Sequence, residues 1–158
     1  MNQTINCVDS LINWAIKNNI PEPDLDEIAN EGLNPHAYFL SHGGGFPRDK
    51  YDLINNMYVL KLDNSKVEYL PKEIGSLTKL KTINLSDNNI QTLPDEICDL
   101  ENLEILDISS NDISKLPTNI VQLKKLKVFI FAGNQNLKLT NTQEDWIKQF
   151  KRDGQYGY

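Results

Sequence analysis

Apolar side chains return at a fixed spacing of 23 residues through the middle of the chain. Leu62, Leu85, Ile108 and Phe131 form one column, and Leu60, Ile83, Leu106 and Phe129 stand two residues earlier. Val67, Ile90 and Ile113 follow, then the pairs Leu70-Pro71, Leu93-Pro94 and Leu116-Pro117. Ile74, Ile97 and Ile120, then Leu77, Leu100 and Leu123, then Leu80, Leu103 and Leu126 complete the unit. Around the first two columns apolar and polar residues alternate, which predicts a short strand with one face inward. The prolines open the opposite side of each unit, where a fixed φ favours a helical or 3₁₀ turn. A fixed period in the twenties predicts a solenoid, because such a unit buries its apolar face only against its neighbours.

Two copies fit the consensus L-x-x-L-x-L-x-x-N/C-x-L closely: Leu80-x-x-Ile83-x-Leu85-x-x-Asn88-x-Ile90 and Leu103-x-x-Leu106-x-Ile108-x-x-Asn111-x-Ile113. The stretch resembles a leucine-rich repeat (LRR) array. Its 23-residue unit and the run Leu-Pro-x-x-Ile-x-x-Leu are similar to the subclass found in intracellular Ras-pathway scaffolds. The resemblance implies an α/β solenoid, with a parallel sheet on the concave face, helical or 3₁₀ turns on the convex face and helical caps at both ends. Asn88, Asn111 and Asn134 end the strands, and an amide side chain there can both donate to and accept from the backbone of adjacent turns. Ser65 holds that place in the first copy.

The two ends depart from the repeat. Ile5, Val8, Ile12, Ala15 and Ile16, with Leu11 beside them, predict an amphipathic helix over residues 4–18 with Thr4 or Asn6 as N-cap. A second short helix is expected over Asp24–Glu31 and a further turn or two over Pro35–His42. Tyr51, Ile54 and Met57 stand 23 residues before Ile74, Leu77 and Leu80, so residues 46–57 read as a degenerate half repeat. The expected order is a helical N-terminal cap at 1–45, repeats at 46–139, a capping helix at 140–152 and a flexible tail at 153–158. Within the array the full repeats span 58–80, 81–103 and 104–126, with a partial one at 127–139. Near the end, Thr142-Gln-Glu-Asp145 has the form of a capping box, and Trp146, Ile147 and Phe150 share one face of the helix that follows. The stretch from Gly133 to Leu137 carries one residue more than earlier copies before its apolar position.

Composition removes several functional classes. The net charge of −6 and pI near 4.9 argue against nucleic acid or an anionic membrane as the main partner. No apolar run reaches the length that spans a bilayer, and the N-terminus has no basic stretch followed by an apolar one. Cys7 and Cys98 fit no metal or redox spacing, and cysteine-rich caps are absent, so a cytoplasmic protein is expected, with a secreted bacterial effector as the other option. His36 and His42 form no metal-ligand spacing, the acidic residues from Glu22 to Glu31 do not follow a calcium loop, and Gly43-Gly44-Gly45 lacks the Lys-Ser/Thr of a phosphate loop. No catalytic motif, cofactor site or metal site is expected.

Strand alternation forces a second set of residues outward on the concave side. These are the columns Val59, Thr82, Ile105, Val128; Lys61, Asn84, Asp107, Ile130; Asp63, Ser86, Ser109, Ala132; and Asn64, Asp87, Ser110, Gly133. Charge gathers at the first strands and Ile105, Val128 and Ile130 gather at the last, with Asp107 beside them. An apolar cluster rimmed by polar groups is a candidate protein interface. The expectation is a monomeric, non-enzymatic module that binds a protein through this sheet. Small GTPases or signalling enzymes are the partners that the resemblance implies. The alternative keeps the solenoid as a recognition arm and gives the N-terminal helical segment a separate targeting or regulatory interaction.

Overall fold

The computed structural model describes residues 2–18 and 57–153. The expectations for residues 19–56 (the second and third helices, the glycine triplet, both histidines and most of the half repeat) lie outside the described residues, as does the tail after 153.

Helix α1 (Asn2–Lys17) is followed by four three-residue strands: β1 (Val59–Lys61), β2 (Thr82–Asn84), β3 (Ile105–Asp107) and β4 (Val128–Ile130). They form one parallel sheet in the order β1-β2-β3-β4. Each pairs with the next at an offset of 23 residues, so Val59, Thr82, Ile105 and Val128 stand side by side. Between strands the chain crosses to the other face through 3₁₀ turns at Lys72–Ser76, Asp95–Asp99 and Thr118–Gln122. Pro71, Pro94 and Pro117 are the N-caps of these turns, the first two in extended conformation, and their carbonyls accept from the N–H of Ile74, Ile97 and Ile120 at 3.1 Å. Proline therefore sits just before the turn and supplies its first acceptor.

The repeat columns make one continuous core. Leu62, Leu85, Ile108, Ile90, Ile97 and Leu103 are completely buried. Each such side chain stabilises the fold by roughly 1.5–3 kcal/mol, most of which conformational entropy offsets. Met57, 2% exposed, occupies the place that Leu80 and Leu103 take later. Gly75 shares a column with Cys98 and Val121, and a Cβ there would come within 2.6 Å of the Glu96 carbonyl oxygen.

The asparagines tie the turns together. Asn88 accepts from the N–H of Ser65 and Val67 and donates to the carbonyls of Leu62 and Leu85. Asn111 accepts from Ile90 and donates to Leu85 and Ile108. Asn134 accepts from Ile113 and donates to Ile108 and Phe131. These backbone groups lie past the strand ends, where no ladder reaches them, and buried polar groups need partners.

Three expectations change. Asn64, Asp87, Ser110 and Gly133 have φ between 51° and 77°, so this column is not a strand position but the left-handed residue that swings the chain under the sheet. Asn, Asp and Gly tolerate that region best. Secondly, the α1 face that packs inward is Leu11, Trp14 and Ala15, whereas Ile16 is 53% exposed. The Trp14 indole N–H donates to the Tyr69 carbonyl at 3.0 Å, which sets the helix rotation. The helix already includes Thr4 and Asn6, so neither is its N-cap.

Thirdly, the C-terminal helix starts on Thr140, not Thr142. Helix α2 (Asn141–Ile147) has a capping box between Thr140 and Gln143, and the chain continues as a 3₁₀ helix at Lys148–Asp153. Thr140 falls in the proline column, Gln143 in the column of Ile74, Ile97 and Ile120, and Trp146 in that of Leu77, Leu100 and Leu123. Gln143 is 2% exposed, and its Nε2 donates to the Pro117 carbonyl at 3.0 Å. The extra residue before Leu137 is absorbed locally, because Lys115 and Lys138 still bridge at the normal spacing.

Replacing Asn111 with alanine leaves the Ile90 N–H buried without its acceptor. Urea unfolding is expected to show a loss of roughly 2–4 kcal/mol with an unchanged slope. Asn134, which is only half-buried, should cost less on the same substitution because water can replace part of what is lost. Equal stability of Asn111→Ala and the parent would refute the ladder's role.

Candidate protein-binding face

Short strands with inward-facing leucines leave the alternate positions no choice but to face the concave side. Of the residues expected there, Lys61, Asp63 and Ile105 are exposed, and Val59, Thr82, Asn84, Asp107, Val128 and Ile130 are half-buried. Ile105 is 37% exposed, one of the few large apolar side chains so open among the described residues. The strand register sets Ile105 beside Val128 and Asp107 beside Ile130. Both pairs sit on β3 and β4, so the apolar positions are brought together by backbone pairing alone.

The polar members of the face are partly engaged within it. Asp107 Oδ1 accepts from the Ser109 N–H at 2.9 Å and from its hydroxyl at 2.6 Å. Asn84 Oδ1 accepts from the Ser86 N–H at 3.0 Å, and its Nδ2 donates to Asp63 Oδ1 at 3.3 Å. These side chains cap the ends of their own strands, which is a local role of Asp and Asn. What the face offers freely is therefore its apolar part and the second oxygen of Asp107.

A charged strip borders the first column, and sequence reading missed it. Tyr58, Lys81, Glu104 and Lys127 stand at the residue before each strand, 23 apart, a spacing visible in the sequence once that column is written out. Lys81 Nζ lies 6.0 Å from the Tyr58 ring centroid and 3.8 Å from Glu104 Oε1. Lys127 donates to Glu104 Oε2. That hydrogen bond, with the lysine charge behind it, holds the Glu104 carboxyl below its ordinary range. Both lysines are exposed and Glu104 is half-buried, so the strip aligns side chains more than it stabilises the fold.

No other chemistry is assembled among the described residues. No group of three or more His, Cys, Asp or Glu stands close enough to hold a metal, and no helix is long and apolar enough to cross a membrane. Cys98 is half-buried on the convex side, and burial, with Asp95, Asp99 and Glu96 nearby, pushes its thiol up to about 11. A thiol so disfavoured as thiolate is a poor nucleophile.

Comparison with known proteins agrees with this geometry. A family model for leucine-rich repeat regions matches residues 52–146. A search of curated proteins finds no match. Among solved structures, a leucine-rich repeat protein of Leptospira interrogans superposes with a TM-score of 0.54 at 20% identity, over 86% of this chain and 40% of that one. The chain thus spans less than half the length of that protein, and the likeness is one of fold.

Glu104 supplies a pH-dependent prediction. Its folded pKa is lowered, so its contribution is present above the unfolded pKa and is lost as pH falls through the folded value. Relative to Glu104→Gln, the parent should be slightly more stable at neutral pH and low salt. The difference should vanish in strong acid and in about 1 M salt, where screening is nearly complete. A difference that persists under acid would contradict the ion-pair assignment.

Proposed function

The chain belongs to the leucine-rich repeat family, and we propose that it is a non-enzymatic recognition module that binds a protein on its concave sheet. The family's fold is generally a protein-binding one. The observation that carries the reading is the juxtaposition of Ile105, Val128 and Ile130 on β3 and β4, with Ile105 open to solvent. Apolar surface of this kind, rimmed by polar groups, is what a specific interface buries at its centre. The sheet is held by the asparagine ladder before any partner arrives, so little ordering cost remains to be met on binding. The Lys81–Glu104–Lys127 strip and Asp107 supply the polar rim, which governs encounter and orientation more than affinity.

In this reading α1 and the α2 region act as caps, covering the first turn and the Phe129 side of the last. Leu11, Trp14 and Ala15 at one end and Ile147 and Phe150 at the other support that role by their burial. The finer reading, a small GTPase or a signalling enzyme as partner in the cytoplasm, rests on the likeness of the 23-residue unit to Ras-pathway scaffolds. It names the first partner class to try.

The double substitution Ile105→Asp with Ile130→Lys places two charges on the face without touching the buried columns. Unfolding stability is expected to change by less than about 1 kcal/mol, since neither position is a core position. Affinity for a captured partner should fall by roughly tenfold or more, as expected when a central apolar contact is replaced by charge. Unaltered capture by a folded double variant would refute the concave reading.

A further inference from the structure

The last turn of the solenoid is only half covered. Helix α2 and the 3₁₀ helix after it pack on Phe129, with Phe129–Trp146 centroids at 5.4 Å and Trp146–Phe150 at 5.0 Å. Among the described residues nothing covers the other half of the turn. Phe131 is half-buried where Leu62, Leu85 and Ile108 are completely buried, and Leu139 is half-buried where Leu70, Leu93 and Leu116 are buried. Phe131, Gly133, Asn134, Leu137 and Leu139 line a cleft of about 370 Å³ there.

The hydrogen-bond register says what shape of chain fits the cleft. The N–H groups of Leu62, Leu85 and Ile108 donate to the carbonyls of Asn84, Asp107 and Ile130 in the next turn, each at 2.8 Å. Those of Asn64, Asp87 and Ser110 donate to Ser86, Ser109 and Ala132. The next donors in the two series are Phe131 and Gly133. The acceptor due for Phe131 is residue 153, and there the chain is already a 3₁₀ helix. The carbonyls show the same pattern. Leu85 accepts from both Asn88 and Asn111, and Ile108 from both Asn111 and Asn134. Among the described residues Phe131 accepts from Asn134 alone, so its carbonyl can take one further amide donor.

We propose that this half-turn docks an extended segment of a partner protein, laid parallel to β4, with the pattern apolar-x-apolar-x-x-Asn. Its two carbonyls would accept from Phe131 and Gly133, its second apolar side chain would fill the cleft, and its asparagine would donate to Phe131. This is strand addition with a side-chain requirement, and the backbone provides affinity while the amide provides selectivity. The cleft adjoins the concave face at β4, but Ile105, Val128 and Ile130 do not line it. A second copy stacked end to end is not the occupant, because α1 covers the first turn through Leu11, Ala15 and the Trp14–Tyr69 hydrogen bond.

The probe is a synthetic peptide with the sequence of residues 104–113, titrated into the intact chain and followed by backbone amide NMR. Saturable shifts are expected at the amides of Phe131 and Gly133, together with slower hydrogen exchange there. A peptide with alanine in place of its asparagine should bind roughly fivefold more weakly, the loss expected for one hydrogen bond. Leu137→Glu should abolish binding, while the Ile105→Asp chain, altered one strand away on β3, should bind normally. The proposal is overturned if the parent peptide gives no saturable shift at those amides, or if the alanine peptide binds equally well. It is also overturned if the free chain already protects both amides, as it would with its own C-terminal residues in the cleft. A dimer formed through this end in sedimentation would overturn it as well.

Discussion

Past the end of each strand the chain must turn under the sheet, and there the backbone has polar groups that no ladder satisfies. A buried N–H or carbonyl without a partner costs on the order of 1–3 kcal/mol, and every turn would incur that cost several times. The asparagine column removes it. One side chain accepts from the previous turn, for example from Val67 or Ile90, and donates both to its own turn and to the previous one. No apolar side chain can do this, and serine reaches less far, which is why Ser65 appears only at the first turn, where Asn88 provides the bonds from the other side. Given that ladder, the leucine columns fall into register and the left-handed residues Asn64, Asp87, Ser110 and Gly133 can make the bend.

The end of the array reuses the same columns with altered residues. Thr140 replaces a proline and adds a side-chain acceptor, so a five-residue 3₁₀ turn becomes a seven-residue α-helix. Gln143 stands where three isoleucines stood, buried like them, but its amide reaches the Pro117 carbonyl of the preceding turn. Trp146 takes a leucine's place and packs against Phe129 with the rings tilted. The terminal helix is a modified repeat, and its incompleteness on the side of Phe131 follows from the chain turning helical before it can form a fifth strand.

Much of this was legible in the sequence, and the reasons for the rest are physical. The 23-residue spacing specified the sheet, its parallel order and its register, because a solenoid converts sequence period directly into neighbours in space. It also holds two signals that motif form and strand alternation obscure. Thr142-x-x-Asp145 has the form of a capping box, but the period puts Thr140 and Gln143 in the columns that start a turn, and these two residues make the cap. Asn64, Asp87, Ser110 and Gly133 were placed on the strand face, although that composition is typical of left-handed positions. The rotation of α1 was legible only in part: Leu11 and Ala15 pack inward as the pattern implies, but the burial of Trp14 in place of Ile16 goes with a hydrogen bond to a backbone group 55 residues away. On the concave face the apolar positions of β3 and β4 could be read from alternation. The engagement of Asn84 and Asp107 with their own strand ends could not.

On the proposed reading, recognition by the concave sheet depends on the sheet being rigid before binding, which would give the ladder a functional part as well as a structural one. Residue-resolved hydrogen exchange of the free chain tests this most directly. The account predicts that the amides of Val67, Ile90, Leu85 and Ile108, which lie behind the asparagines or in the strand register, exchange slowest and through a common opening. Exchange of the Val67 and Ile90 amides as fast as that of exposed turn residues, with the strands still protected, would contradict it.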